Sequence, residues 1–395
     1  MSDSDMNTGE LVVENNGRIG FIGEKVSSQF QGRIIDLSDC LVMPGFVNAH
    51  CHLTLSALKG KICPTNSFVD WVLSLVELDA NLSEQERLEA FHSGAREMLD
   101  SGVTTFADYL GRLELLPEYA YFPLRQIIFL EAIGFQSNQA KKIGACFEKI
   151  LQAGPPAPER ISLGIAPHAP YSVSPSLFRI LFQLAKRYNV PISSHVAELL
   201  EEEEFLKNGS GDLKRLLDSR RGYDYEWIPP KKSSLDYLAD IETLDSMVAI
   251  HLNHIDGDKN FLKSHLVSAV FCPRSTSWFC REKYMDVDEL MKNGVTIGLG
   301  TDSLASNKNL NFLDELRAAE SMIPNLNRKE LLLMATRYGA EAMGLETGVI
   351  STGRPADLIA FRIQNVPERW SDVPFFPEIR EACFSMIGGK IIFEK

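Results

Sequence analysis

Apolar positions along this chain follow two rhythms. Short runs rich in Val, Ile and Phe alternate with longer stretches in which apolar residues recur every three or four positions. Side chains alternate faces along a strand and return about every 3.6 residues around a helix, so the first rhythm predicts strands and the second amphipathic helices. Strand-like runs fall at residues 42–49, 103–107, 126–130, 161–166, 190–195, 247–251, 266–271 and 295–302. Helical stretches at 67–78 and 83–100 follow the first of them, the second opening on the capping pattern Ser83-Glu-Gln-Glu86. The alternation is that of βα units around a parallel sheet, and eight such strands close into a (β/α)8 TIM barrel, an α/β fold. Chemistry in that architecture sits at the C-terminal strand ends.

Both chain ends have a different texture. Residues 10–14, 18–23 and 33–37 read as short strands, with Asn16-Gly17 as a hairpin turn between the first two. Residues 357–362 and 382–393 read alike, the latter folding about Gly388-Gly389. Neither set is large enough to stand alone, so the two ends are expected to pair into one small β-sandwich that could also shape a wall of the site. The expected division is 1–43 and 348–395 for the sandwich and 44–347 for the barrel.

Composition narrows the partners. In 395 residues, Lys+Arg 40 against Asp+Glu 53 leaves 40 minus 53, a net charge of −13, which argues against a nucleic-acid backbone or an anionic membrane. A small molecule is the expected partner, and a homodimer is open as the assembly state. No apolar run approaches the ~20 residues of a bilayer span, and Met1-Ser-Asp-Ser-Asp-Met-Asn-Thr is too polar for a signal peptide, so the expected location is the cytoplasm. The 7 cysteines include no Cys-x-x-Cys pair and are expected to be buried thiols.

The candidate chemistry clusters where a barrel would place it. The run Leu41-Val-Met-Pro-Gly-Phe-Val-Asn-Ala-His50-Cys51-His52-Leu53 closes on two histidines one residue apart, which alternation directs to one side with Cys51 turned toward the wall. Two imidazoles so placed can share one cation. His168 follows the fourth strand, His195 and His251 end the fifth and sixth, and Asp302 ends the eighth, so all should converge on one mouth. His92 and His265 fall in predicted helices, and His254 is read as structural or as a support for the ligands.

These residues lie in motifs that resemble the amidohydrolase superfamily, within it the aminohydrolase and chlorohydrolase branch. The motifs are Pro44-Gly-Phe-Val-Asn-Ala-His-Cys-His-Leu53, His195-Val-Ala-Glu198, Ile250-His-Leu-Asn-His-Ile255, Cys272-Pro-Arg-Ser275 and Gly298-Leu-Gly-Thr-Asp-Ser-Leu-Ala-Ser-Asn307, in family order. The resemblance implies that His50, His52, His195 and Asp302 hold one divalent ion, Zn2+ or Fe2+, and that Glu198, His251 and Asp302 handle protons. No lysine ends the fourth strand to supply a bridging carbamate, so the likeness is to one-metal members. Three neutral imidazoles and a carboxylate leave a coordination position for water, whose pKa the ion lowers toward about 7. Glu198 would share the side of His195 if the chain turned helical after the strand, whereas Glu201 to Glu204 read as a solvated helix face.

Other residues are candidates for substrate contact. His168 lies in a loop stiffened by Pro167 and Pro170, Arg274 could hold a polar substituent or pair with a structural acid, and Trp71 with Phe68 could cover a flat ring. Ser303 could touch substrate or, with Asn307, orient Asp302. Ser56-Ala-Leu-Lys-Gly60 and Phe68-Val-Asp-Trp71 resemble the branch that holds the aminodeoxyfutalosine deaminases of menaquinone synthesis, with Thr54 where that branch implies an acid. The function implied is hydrolytic deamination of an adenine-nucleoside-like compound. Deaminases of S-adenosylhomocysteine, methylthioadenosine or guanine, triazine chlorohydrolases and a non-catalytic ligand-binding barrel are the alternatives.

Overall fold

In a computed structural model, residues 8–26, 31–65, 67–255, 260–363 and 379–395 are described. The chain begins with an antiparallel hairpin of β1 (Glu10–Val13) and β2 (Ile19–Gly23). Its turn needs Gly17, whose φ is 78° and whose place a Cβ would share with the Gly388 carbonyl oxygen at 2.2 Å. Residues 33–37, expected as a strand, are irregular: β3 begins only at Cys40 and ends at Pro44.

The first long apolar run serves two sheets, not one. β3 pairs antiparallel with a C-terminal strand, and one residue later β4 (Phe46–Cys51) enters the barrel parallel to β5 (Val103–Leu110). Gly45 makes the handover, because a Cβ there would lie 1.9 Å from Thr104 Oγ1. From β5 the barrel continues through β6 (Arg125–Ala132), β7 (Ile161–Pro167), β8 (Ser193–Val196), β9 (Val248–His251), β10 (Ser268–Phe271) and β11 (Ile297–Leu299).

The strands form two four-stranded parallel sheets, β4-β5-β6-β7 and β8-β9-β10-β11. Two parallel bridges close them into a barrel, Ile165 with Ile192 and Cys51 with Asp302. Side chains from alternate positions, among them Ala107, Tyr109, Ile127, Phe129, Val248, Ile250 and Val270, fill the lumen. Helices surround it, including Phe68–Ala80 and Glu84–Asp100, the latter started by the reciprocal Ser83/Glu86 capping box.

After the barrel, β12 (Leu358–Arg362), β13 (Phe384–Ile387) and β14 (Lys390–Glu394) join β3 in a second antiparallel sheet, order β14-β13-β12-β3. It packs against the hairpin over Ile19, Ala356, Leu358, Ala360, Phe384 and Met386. Both chain ends therefore build one small sandwich. Buried Asp357 fixes it to the barrel: its carboxylate takes two hydrogen bonds from Arg125, at 2.9 and 3.2 Å, and one from Gly388 N at 2.7 Å. Arg125 opens β6, and Phe361 packs on Phe46 at the start of β4, so the sandwich sits on the N-terminal face of the barrel. The expected contribution to a site wall is corrected accordingly. Cys63, Cys146 and Cys280 are exposed, contrary to the expectation of buried thiols, and Cys40 Sγ lies 3.6 Å from Cys383 Sγ.

Candidate active centre at the barrel mouth

Strict alternation cannot bring His50 into the lumen, because Ala49 already faces it. A bulge in β4 does. Asn48 pairs with Phe106 and Cys51 with Asp108, so three steps on β4 match two on β5 and re-aim the end of the strand. The His50 ring then meets the His52, His195 and Tyr109 rings at 4.9, 5.0 and 4.3 Å between centroids. Its carbonyl oxygen accepts from both Thr301 N and Asp302 N, at 2.9 and 3.1 Å. Cys51 faces the wall, buried.

His50, His52 and His195 bring one nitrogen each within 4.8 Å of one another, and Nε2 of His52 and His195 approach to 3.4 Å. Asp302 Oδ1 lies 3.8 Å from His50 Nε2 and 4.0 Å from His52 Nε2. An ion with bonds of about 2.1 Å to tetrahedral ligands separates them by about 3.4 Å, so the three clustered imidazoles can share one ion, and Asp302 stands beside two of them, His50 and His52. Both His50 nitrogens are buried without a hydrogen-bond partner, a costly arrangement that a shared cation would relieve. Burial and the neighbouring imidazoles hold His50 well below the ordinary histidine range, and burial first brings His52 down to about 4. Neutral rings are the form that binds a metal. His195 donates from Nδ1 to the His168 carbonyl oxygen at 2.9 Å, which turns its Nε2 to the cluster.

Asp302 has φ 57° and lies just beyond β11. Its carboxylate accepts from Ser303 N at 2.7 Å, from Ser275 Oγ at 2.5 Å and from Ser306 Oγ at 3.3 Å. Ser303 thus holds Asp302 through its backbone, while its hydroxyl meets Ser306 Oγ at 3.3 Å. Asn307 donates to Thr301 O and to Glu315, at 3.0 and 2.8 Å.

Glu198 reaches the same space by a route other than the expected helix. Helix Leu200–Asn208 starts two residues later, and Ala197, at φ 50°, makes the turn that swings Glu198 inward. Glu198 Oε1 lies 3.8 Å from His251 Nε2 and accepts from Arg281 Nη2 at 2.6 Å, while a second Arg281 nitrogen donates to the Glu198 carbonyl oxygen. The solvated-face reading fails for Glu202, which is buried and accepts from Ala197 N at 3.0 Å and from the Ser234 hydroxyl. Burial raises its pKa to about 7. Glu203 is also buried, paired with Lys207 at 2.8 Å. The backbone N–H of His254 supports the turn by donating to Ala197 O at 2.9 Å. His251, at φ 75°, ends β9 with its ring 5.5 Å from that of His195, and burial keeps it neutral.

Two of the expected substrate residues are engaged elsewhere. Arg274 donates to Asn309 Oδ1 at 2.7 Å and lies 3.5 Å from buried Glu315, the structural pairing rather than the substrate contact. Trp71 is buried, donates from Nε1 to Ala305 O at 3.1 Å and packs edge-on to Phe279 at 5.1 Å. It braces the loop after Asp302. His168 does line the mouth, 4.8 Å from the His195 ring.

The structure adds groups that the sequence reading passed over. Asp108, fully buried at the end of β5, accepts from Leu53 N at 2.7 Å and from the Tyr119 hydroxyl, pinning the chain just past His52. Glu131, near the end of β6, lies within 4.8 Å of ligand atoms of His168 and His195, and burial raises its pKa to about 8. Each acid stands one residue past the expected end of its strand; Glu131 shares the lumen face of Ile127 and Phe129, where a barrel carries chemistry, whereas Asp108, between Ala107 and Tyr109, faces the helix layer.

The amidohydrolase family profile matches residues 41–382. A 5-methylthioadenosine/S-adenosylhomocysteine deaminase of Carboxydothermus hydrogenoformans is 30% identical over 364 residues, which is 89% of this chain and 79% of the relative. A 5'-deoxyadenosine deaminase of Methanobrevibacter smithii is 29% identical over 377 residues, or 90% and 80%. Among solved structures, the aminofutalosine deaminase of Helicobacter pylori in complex with methylthio-coformycin superposes with a TM-score of 0.83 at 25% identity, covering 96% of this chain and 94% of that one. The atrazine chlorohydrolase of Arthrobacter aurescens complexed with zinc gives 0.79 at 20% identity over 97% and 90%, a likeness of fold. With the profile running from β3 across the whole barrel and into the segment before β13, the chain belongs to the amidohydrolase family.

Proposed function

We propose that this chain is a divalent-metal-dependent hydrolytic deaminase of adenine-nucleoside-like compounds that releases ammonia. The observation that carries the reading is that Glu198 and His251 lie 3.8 Å apart beside the clustered imidazoles of His50, His52 and His195 and the Asp302 carboxylate. His50, His52, His195 and Asp302 are the proposed ligands of one ion, Zn2+ or Fe2+. When bound, that ion supplies the charge that makes a water acidic enough to act as a nucleophile near neutral pH.

The chain's own groups then divide the proton work. Asp302, fixed by Ser275 and Ser303, takes the proton that the water gives up. His251, neutral in its buried setting, receives a hydrogen bond at Nε2 and steadies the attacking oxygen. Glu198, aligned by Arg281, delivers a proton to a ring nitrogen so that the ring accepts electrons as the new C–O bond forms. Asp302 hands the proton it took from water to the amino group, which leaves as ammonia. Burial of these groups in the mouth strengthens each electrostatic contact.

The substrate class rests on the relatives, whose named substrates include adenosines altered at the 5' carbon. The negative charge of the chain fits a small-molecule substrate, and among the described residues no helix is long and apolar enough to cross a membrane. Aminodeoxyfutalosine, and with it a place in menaquinone synthesis in the cytoplasm, is one member of that class. The test is an ammonia-release screen with the metal-loaded protein over adenosine, 5'-deoxyadenosine, methylthioadenosine, S-adenosylhomocysteine, aminodeoxyfutalosine, guanine and an aminotriazine. Turnover of adenine nucleosides is the expected result. Turnover of guanine or the triazine alone would replace the reading.

A further inference from the structure

Helix Leu200–Asn208 starts at Leu199, whose side chain makes no capping bond, and the third residue of the helix is Glu202. An acid in a first turn ordinarily faces the helix's own N–H groups. This one turns back. Its Oε1 accepts from the N–H of Ala197, three residues before the helix, at 3.0 Å, and from the hydroxyl of Ser234, the first residue of helix Ser234–Asp240. The backbone N–H of Glu198 adds a weaker contact to the same carboxylate.

Glu202 is fully buried, and the groups acting on it are a hydroxyl, backbone N–H groups and the Glu198 carboxylate, with no cation among them. A carboxyl group in that setting lowers stability, and an apolar side chain would fill the same space at less cost. The stability of the fold therefore does not account for an acid here. What the acid holds does.

Ala197, at φ 50°, lies in the left-handed region, which a residue with a Cβ enters only at a cost. Its N–H belongs to the peptide plane before its Cα and its carbonyl to the plane after it. Glu202 binds the N–H, and the backbone N–H of His254 binds the carbonyl oxygen at 2.9 Å, so the two bonds together set both dihedrals of that residue. Those dihedrals decide where the next side chain points, and the next side chain is Glu198, which they bring to 3.8 Å from His251. Beyond the turn, Asn253 Nδ2 and Arg281 hold the Glu198 carbonyl oxygen, the former at 3.2 Å. Glu202 is the side chain that holds the turn from upstream.

We propose that Glu202 is a positioning residue for the reaction: by binding the Ala197 N–H it keeps the left-handed turn that aims Glu198, and it affects turnover through Glu198 alone. The inference rests on Glu198 as the proton donor proposed above. Its test is a double-mutant cycle. kcat and KM for the best nucleoside found in the ammonia screen are measured in wild type, Glu202→Leu, Glu198→Gln and Glu198→Gln/Glu202→Leu, with Glu202→Gln as the conservative control and with metal content and thermal midpoint alongside.

Glu202→Leu fills the space and removes the acceptor, so kcat should fall about 10- to 100-fold with KM and bound metal unchanged, the loss expected from misplacing a group that acts in the transition state. Glu202→Gln keeps an acceptor oxygen and should retain most of the wild-type rate. In the Glu198→Gln background the leucine change should alter kcat by no more than about twofold, because no acid is left to misplace. If Glu202→Leu folds poorly, Ser234→Ala removes one donor from the Glu202 carboxylate and makes the same comparison, with kcat falling when Glu198 is present and unchanged in Glu198→Gln. An equal loss in both backgrounds would make Glu202 a general support of the fold and overturn the proposal. Unchanged kcat in Glu202→Leu, a rise in KM alone, or loss of bound metal would overturn it too. Near-normal turnover by Glu198→Gln sinks the parent reading instead, a result that wild type and that single variant show by themselves.

Discussion

Arg281 Nη2 lies 2.6 Å from Glu198 Oε1, and a second nitrogen of the same guanidinium reaches the Glu198 backbone carbonyl. Stacked on the Phe279 ring at 4.9 Å, Arg281 grips the acid from both ends and holds it 3.8 Å from His251. The grip fixes the position of the Glu198 carboxylate, the group proposed above to deliver a proton.

Arg281→Met should lower kcat/KM about 10- to 100-fold, the usual loss when a group that orients a catalytic residue is removed, with bound metal unchanged. Glu198→Gln sets the floor, with turnover down by about 100-fold or more. Steady-state kinetics with metal analysis reads both. Wild-type kinetics in Arg281→Met would show that the contact does not act on the reaction.

The hold on Asp302 is distributed over Ser303 N, Ser275 Oγ and Ser306 Oγ, with Ser275 the closest hydroxyl at 2.5 Å. Ser275→Ala should weaken metal affinity by about tenfold, whereas His195→Ala should lower occupancy outright. Competition with a chelator of known affinity measures both. Unchanged occupancy in His195→Ala would remove His195 from the ligand set.

Glu202 makes stability depend on pH in a definite direction. Burial raises its pKa from 4.5 to about 7, so between those values the folded chain holds a proton that the unfolded chain has lost. That contribution is complete below pH 4.5 and is lost as the pH rises through 7. Urea unfolding at pH 5 and pH 8 should therefore show a smaller decline with rising pH in Glu202→Gln than in wild type. Equal declines would contradict the buried, partly protonated state.

At the junction of barrel and sandwich, Gly45→Ala places a methyl 1.9 Å from Thr104 Oγ1. Relief requires the β3–β4 corner to move, at a cost of about 1–3 kcal/mol, the range for overpacking. A thermal midpoint within error of wild type would show that the corner can shift freely.

The barrel was legible because each of its strands is a short apolar run, and the clustering of His50, His52 and His195 was legible because they stand at the ends of those runs. Three features were hidden for physical reasons. The bulge in β4 that turns His50 inward leaves no mark in composition, since register is set by pairing with β5. The left-handed turn at Ala197 needs a partner five residues on, Glu202, which charge patterning assigns to solvent. Arg281 acts from a segment remote in sequence and belongs to no motif. Arg274, the arginine within a motif, pairs with Asn309 and Glu315 instead. Glu131 was within reach: extending its strand by one residue puts an acid at the functional face.

The central claim is that a single ion, held by His50, His52, His195 and Asp302, enables deamination. Its most direct test is to strip the protein of metal and follow ammonia release from an adenine nucleoside while Zn2+ or Fe2+ is added back. The account predicts no turnover in the stripped protein and a linear rise that breaks at one ion per chain. Full turnover without metal, or a break at two ions per chain, would contradict it.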